Sequence, residues 1–328
     1  MAVTRRTLIA ALGATPIIGL LPRAAFAAYP DHVIHLIVPF AAGGNADIVG
    51  RLIGDLMGKN LKQTVVVENR GGAGGGVGAQ AVAKADPDGY TLLVASNGPM
   101  TINPLMHTNL GYDPQKDFTA VALTSYVPHA LILTNKIEAR NVQEYVAASK
   151  KTPMTIGTSG VGSATHMTLE RLKAATGANI THVPYRGGGA LMPDLMAGTI
   201  SGAMTEFSTA LQMHKGGKAH IVGVALNHRS KLALDVPTFI DGGVKDFTAG
   251  SYIGIVAPAK TPPAVIAQLQ KAIADGLKPG TPAVTRLEEL GAEIATPAQM
   301  TSAGFTAFLQ DDAANMKKAA DLAGIKPQ

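Results

Sequence analysis

The chain has 328 residues, carries 28 Lys and Arg against 23 Asp and Glu, and contains neither cysteine nor tryptophan. Without cysteine there is no disulfide, no thiolate metal site and no cysteine nucleophile, so the fold rests on core burial alone; sparse aromatics count against a sugar site of stacked rings. Three of the positive charges, Arg5, Arg6 and Arg23, fall within residues 1–27, and past them the balance is 25 against 23 with no Lys/Arg block, which leaves no electrostatic footprint for nucleic acid or an anionic membrane.

The first residues set a twin-arginine pair at Arg5 and Arg6 before an apolar run from Leu8 to Leu21, and Ala25-Phe26-Ala27 forms a small-x-small cleavage site. This order predicts a signal peptide over residues 1–27, export to the periplasm and a mature chain beginning near Ala28; the arginine pair points to the twin-arginine route, although such a pair also serves as an ordinary basic n-region. Gly13, Pro16 and Gly19 interrupt the run and argue against a retained membrane span. About 300 mature residues is the size of two lobes, each with its own core.

Short β-branched runs then alternate with helical segments, the pattern of α/β layers. His32 to Val38 reads as a strand stopped by Pro39; after the loop from Phe40 to Asp47, Ile48, Leu52, Ile53, Leu56 and Met57 fall at helical spacing, with Asp47 or Asn45 as the expected cap. Val65 to Val67 is a second strand, Gly71 to Gly78 a glycine-rich loop, Ala79 to Ala85 a helix and Thr91 to Ala95 a third strand. A second series begins with a strand at Leu131 to Thr134 and a helix at Val142 to Ser149. Met154 to Ile156 is a strand that opens into the loop Gly157 to Ser163, and the helix from Ala164 stops at Gly177. Ile180 to Val183, Ile200 to Met204 and Ile221 to Ala225 read as strands, with a helix at Leu191 to Ala197. Beyond a loop-rich stretch from Pro237 to Gly250 come a strand at Tyr252 to Ala257 and a long helix at Pro262 to Gly276. The tail from Thr281 to Gly324 is mostly helical and is expected to pack back on the first lobe.

Two loops share one design. At Ala41 to Asp47 and again at Thr158 to Ser163, a strand ends in small residues that feed a helix N-terminus, where free amides attract anions. Glycines at such places also serve tight turns, but one such loop in each lobe points to a shared ligand cleft. Gly74-Gly75-Gly76-Val77-Gly78-Ala79 satisfies the glycine fingerprint of a nicotinamide-dependent oxidoreductase. The next strand, however, ends at Ser96 and Asn97 where a ribose-binding acid belongs, and an exported chain has little use for that cofactor. Gly157-Thr158-Ser159-Gly160-Val161 lacks the last glycine of a nucleophile elbow, and no pair among the scattered histidines, His32 and His35 included, has metal-ligand spacing with an acidic third member. Tyr185 and Arg186, after the strand at Ile180 to Val183, can reach a ligand carboxylate or brace their own loop. Glu206 and Phe207 can line the cleft, where an acid selects against a second carboxylate or for an amine.

The ordered motifs Tyr29-Pro30, Leu36 to Phe40, Gly43-Gly44, Asp47, Val66 to Arg70, Gly72 to Gly75, Pro87 to Leu93, Asn103-Pro104, Tyr112 to Pro114 and Lys116 to Phe118 run on into Gly157 to Ser163 with His166, His182 to Gly187, Pro237-Thr238, Gly254, Ala257-Pro258 and Thr261-Pro262. Over the whole mature chain they resemble the Bug-type receptors of tripartite tricarboxylate transporters. The resemblance implies an α/β type II periplasmic binding-protein fold, with two lobes joined by two crossover strands and the ligand cleft between them. Lobe I is expected over 28–125 plus 252–328 and lobe II over 126–251. It implies no catalysis, no cofactor and no metal. The implied ligand is a small organic carboxylate held largely by main-chain amides and waters, and the implied partners are integral membrane transporter subunits around a monomeric receptor. A ligand sensor for a membrane signalling protein uses the same fold. Carried over residue by residue, the ligand contacts are Phe40, Ala41, Ala42, Gly43 and Asp47 in the first loop, Ser159, Gly162, Ser163 and His166 in the second, and Tyr185. The first loop departs from the family at Ala41-Ala42 and Asn45, where members often carry proline and a different small residue, a change that bears on the width of the pocket.

Overall fold

The computed structural model describes residues 29–322; the expected leader at residues 1–27 lies outside them. Strand β1 (Ile34–Val38) is apolar at almost every position and ends at Pro39, as a strand covered on both faces should. Helix α1 (Asn45–Leu61) follows, then β2 (Val65–Asn69), α2 (Gly76–Ala83) and β3 (Thr91–Ala95). β1 lies between β2 and β3, parallel to both. A wide turn leads from β3 into the single turn α3 (Asn103–Met106).

The next element departs from the sequence pattern. β4 (Phe118–Thr134) is one strand of 17 residues, of which only the last four, Leu131 to Thr134, read as strand in the sequence. Its earlier part is obscured by Thr124, Ser125, Pro128 and His129, all of them buried; Thr124 Oγ1, for instance, donates to the Ile253 carbonyl at 2.8 Å. Pro128 is tolerated because it stands where the strand changes partners.

α4 (Val142–Lys151), β5 (Met154–Thr158), α5 (Ala164–Thr176), β6 (Ile180–Pro184), α6 (Gly188–Ala197) and β7 (Gly202–Glu206) come next. Gly177 ends α5 in the left-handed conformation, as expected. Helix α7 (Phe207–Lys215) went unread in the sequence, although Phe207, Ala210 and Leu211 are buried at helical spacing. β8 (Ala219–Val224) closes the second series. β9 (Gly250–Pro258), α8 (Pro263–Gly276), α9 (Pro282–Glu289), the short β10 (Glu293–Ile294) and α10 (Ser302–Leu322) complete the chain.

The strands run in the order β2-β1-β3-β9-β4-β7-β5-β6, with β8 and β10 also on β4. Residues Phe118 to Pro128 of β4 pair antiparallel with β9, and from His129 onward the strand pairs with β7 and β8. β5 lies parallel between β6 and β7. The sheet is thus two α/β halves sharing β4, and β9 returns the chain to the first. α10 is fixed to that half by Phe305 and Phe308, which meet Tyr252 of β9 edge-on, and by the Asp312 carboxylate, which accepts from Thr101 Oγ1 at 2.6 Å and from Asn97 Nδ2. Among the described residues no helix is long and apolar enough to cross a membrane.

His129 sits at the change of partners, fully buried. Its Nδ1 pairs with Thr168 Oγ1 and its Nε2 with Ser251 Oγ, each at 2.8 Å. Burial, helped by the charge of Arg171, pushes its pKa down to about 3, so the folded protein keeps this imidazole neutral while the unfolded chain takes up a proton below about pH 6.5. The contribution is therefore complete above pH 6.5 and is lost as pH falls toward 3, by ~2 kcal/mol at pH 5. Chemical denaturation at pH 7 and pH 5 should show the loss, and His129→Asn should flatten the pH dependence whatever it does to stability at pH 7.

Candidate functional site

The loops after β1 and β5 each run into a helix N-terminus, and the two termini meet across one small cavity of about 20 Å³, room for about one water. Gly44, Asn45 and Ala46 of the first turn of α1 line one side, and Ser163, Ala164 and Thr165 of the first turn of α5 line the other. Both helix dipoles therefore direct partial positive charge at the same point. Phe40, Ser96, Ser159 and Gly188 close the walls, and Glu206 and Ser251 stand at the ends of β7 and β9 nearest the junction. Asn45 and Ser96 are only 2% and 5% exposed, yet Asn45 Nδ2 and Ser96 Oγ have no protein partner. A buried polar atom left unpaired costs ~1–3 kcal/mol, which both recover if they bond a guest.

A layer of bracing side chains holds the first loop. Gly44, not Asp47 or Asn45, is the N-cap of α1. The Asp47 side chain turns back instead: Oδ2 accepts from the Gly43 amide and Oδ1 from Asn69 Nδ2, each at 2.9 Å, and Arg51 reaches Oδ1 from one turn on. Burial works to raise the Asp47 carboxyl, but Arg51, the Gly43 amide and Asn69 together outweigh it and hold the group below its usual value. Asn45 Oδ1 accepts from Ser208 Oγ of α7 at 2.9 Å, so its amide nitrogen is the end left for the cavity.

The second loop is braced in the same way. Ser163 Oγ caps α5 by accepting from the His166 amide at 3.2 Å, and Thr165 Oγ1 accepts from the Ser159 amide at 3.0 Å. His166 Nδ1 accepts from the Gly162 amide at 3.3 Å, and its ring stacks on His182 with centroids 4.2 Å apart. Burial pushes the His166 imidazole down, which suits a nitrogen that must stay unprotonated to accept. Gly162 has φ of +79°, and a Cβ there would collide with Asn103 Oδ1. Gly74, at φ +58°, has no room for a Cβ either, because the Val161 carbonyl and Gly162 lie against it. The glycine fingerprint of the sequence is here a site of close backbone packing between two loops.

The loops also touch directly. The Ala41 amide donates to the Arg186 carbonyl at 2.9 Å, while the Arg186 side chain is exposed. Tyr185 donates its hydroxyl to Asp194 Oδ2 at 2.6 Å, and burial together with that carboxylate raises its pKa to about 12. Glu206 is buried; Oε1 accepts from Ser251 Oγ and Oε2 from Thr205 Oγ1, both at 3.3 Å, and burial pushes its carboxyl above the usual range.

Of the residues expected from the sequence, Phe40, Ser159, Ser163 and Glu206 line the cavity. Ala41, Ala42 and Gly43 lie in the same loop at its rim, with Ala42 and Gly43 exposed. Asp47, Gly162 and His166 stand one layer behind, and Tyr185 is tied to α6. Phe207 is wholly buried in the core rather than at the cleft. Sequence reasoning missed Gly44, Asn45, Ala46, Ser96, Ala164, Thr165, Gly188, Ser251 and Ile253. A polar residue opening a helix that follows a strand could have indicated Asn45, and Ser96 ends a strand at the carboxyl edge of the sheet, where ligands gather. Nothing local distinguishes Ser251.

Residues 49–324 match the family model described as tripartite tricarboxylate transporter family receptor. The chain belongs to that receptor family. A relative from Agrobacterium vitis, a protein of the TAR-I ttuE-ttuC' intergenic region, is 38% identical over 279 residues, 83% of this chain and 80% of its own. The solved periplasmic binding protein BugD superposes with a TM-score of 0.87 at 32% identity, covering 92% of this chain and 100% of BugD. MatC from Rhodopseudomonas palustris, solved with bound malate, gives 0.84 at 30% identity over 89% of this chain and 99% of its own. The architecture is the type II periplasmic binding-protein fold, and the receptor is a solute-binding protein rather than an enzyme.

Two substitutions test the bracing layer in the receptor without ligand. Ser163→Ala should lower the unfolding free energy by ~1 kcal/mol through loss of the α5 cap. Gly162→Val should cost more, since backbone strain of ~1–3 kcal/mol adds to the collision with Asn103. Equilibrium denaturation measures both, and equal small effects would show that the loop does not depend on its left-handed turn.

Proposed function

We propose that the receptor captures a small organic carboxylate in the periplasm and presents it to the integral membrane subunits of a tripartite tricarboxylate-type transporter. The observation that carries this reading is the pair of helix N-termini, α1 and α5, opposed across one cavity beside the unpartnered Asn45 Nδ2 and Ser96 Oγ. Family membership and the malate bound to MatC support the same ligand chemistry. In this reading Phe40, Ser159 and Ser163 touch the ligand with the main chain of residues 41–46, while Asp47, Gly162, His166 and Tyr185 hold the two loops in place. The lobes are 28–125 with 252–328, and 126–251, a division supported by the change of partners along β4 and by the start of β9 at Gly250. The receptor acts as a monomer, reaches the periplasm on a leader cleaved after Ala27, and uses the twin-arginine route through Arg5 and Arg6.

Calorimetry on the mature chain with malate, succinate and adipate should give one site per chain for at least one of them, and scattering should show the protein compacting as that acid binds. Saturable binding of NAD with no response to any carboxylate would overturn the reading. Mass spectrometry of the periplasmic protein should find an amino terminus at Ala28, and replacing Arg5 and Arg6 by lysine should block export; an intact Met1 would refute the leader.

A further inference from the structure

We infer that Glu206 is the counter-charge for an ammonium group on the ligand, so that the receptor selects an amine-bearing carboxylate, a zwitterion, over the same acid without the amine. The inference rests on the carboxylate reading above and deepens it.

Glu206 ends β7 and lines the cavity whose other walls are the two helix N-termini. It is 9% exposed, and no ion pair among the described residues includes it. Carboxylates are rarely buried without a cation, because removing the charge from water costs more than neutral hydrogen bonds return. The groups that do face Glu206 supply donors but no charge. Ser251 Oγ and Thr205 Oγ1 each donate to one carboxylate oxygen. Ser251 has a single hydrogen and gives it to Glu206, so it accepts from Nε2–H of His129, whose Nδ1 in turn accepts from Thr168 Oγ1. The chain of hydrogen bonds thus runs toward Glu206 but brings it no charge, and burial alone favours the neutral carboxyl; a cation arriving with the ligand is what would hold it ionised. His129 cannot serve as the counter-charge, because burial keeps it neutral.

The cavity, which holds about one water as it stands and must widen to admit a ligand, has two unlike ends: partial positive charge at α1 and α5, and the Glu206 carboxyl at β7. A ligand carboxylate suits the first end. At the second, another carboxylate would meet a like charge, whereas an ammonium would supply the missing cation and two or three hydrogen bonds. Asn45 Nδ2 and Ser96 Oγ are neutral and serve orientation rather than charge balance.

The test is calorimetry on the mature receptor and on Glu206→Gln with three matched pairs: L-alanine and propionate, L-aspartate and succinate, L-glutamate and glutarate. At least one amino member should bind wild type 100-fold or more tightly than its partner without the amine. Glu206→Gln should reduce that preference at least tenfold, chiefly by weakening the amino member. L-lactate and L-malate, which carry a neutral hydroxyl where L-alanine and L-aspartate carry the ammonium, should bind wild type at least tenfold more weakly than those amino acids, a second reading on the unaltered protein if Glu206→Gln does not fold. Plain acids that bind as tightly as their amino counterparts, or a preference unchanged in Glu206→Gln, would overturn the inference and leave the receptor reading standing. Silence from all six paired compounds would overturn the inference, and the receptor reading would then stand or fall on malate and adipate.

Discussion

Because β4 runs unbroken from Phe118 to Thr134 and exchanges β9 for β7 and β8 at His129, the two halves of the sheet are joined at one buried junction, and every feature of the cleft is placed with respect to it. α1 starts from a strand on one side of this junction and α5 from a strand on the other, which is why their N-termini can face each other at all. Glu206 pairs directly with His129 in the ladder, and Ser251 lies one residue into β9. The polar floor of the cavity is thus made of the junction itself, and its walls are made of the loops.

The division of labour between contact and support follows from this arrangement. Main-chain amides at a helix terminus point in a fixed direction only if the turn before them is fixed. The side chains with the strongest hydrogen bonds near the site, Asp47 and Tyr185, are accordingly spent on the protein and not on the cavity. His166 belongs to the same group, since its Nδ1 is committed to the Gly162 amide. Apart from the apolar Phe40 and Ile253, the residues that line the cavity are small, hydroxylic or amidic, with Glu206 as the one ionisable side chain among them. Preorganised dipoles pay no reorganisation when an anion arrives, so a site of this kind holds charge without a basic side chain.

Much of this was legible in the sequence, and the remainder was hidden for identifiable reasons. The α/β alternation, the two small-residue loops and the stop at Gly177 are local signals, carried by residues adjacent in the chain, and they place Phe40, Ser159 and Ser163 correctly at a helix entrance. Only four residues of β4 read as strand because its central stretch carries Thr124, Ser125, Pro128 and His129; Thr124 and His129 find partners on β9 and α5, whereas Ser125 Oγ is buried without one. α7 was lost because Glu206 and Phe207 looked like the end of a strand, when only the first belongs to the cleft and the second starts a helix. Asp47 was expected to cap α1 and instead caps the loop before it, a difference of direction that composition does not encode. Ser96 and Ser251 join the site only through tertiary structure, each from a strand end whose sequence gives no hint of the other.

The use of main chain for the anion has an evolutionary corollary. An amide cannot be mutated away, so the charge-holding half of the cleft is insulated from most single substitutions as long as the bracing residues persist. The opposite half is built from a few side chains, Ser96, Glu206 and Ser251, none of which belongs to α1 or α5. Exchanging the acid at position 206 alone would reverse the polarity of one end of the chamber and leave the other untouched. On the proposed reading, cargo could thus change by drift at a handful of codons while the two helix termini that meet the anion are inherited intact.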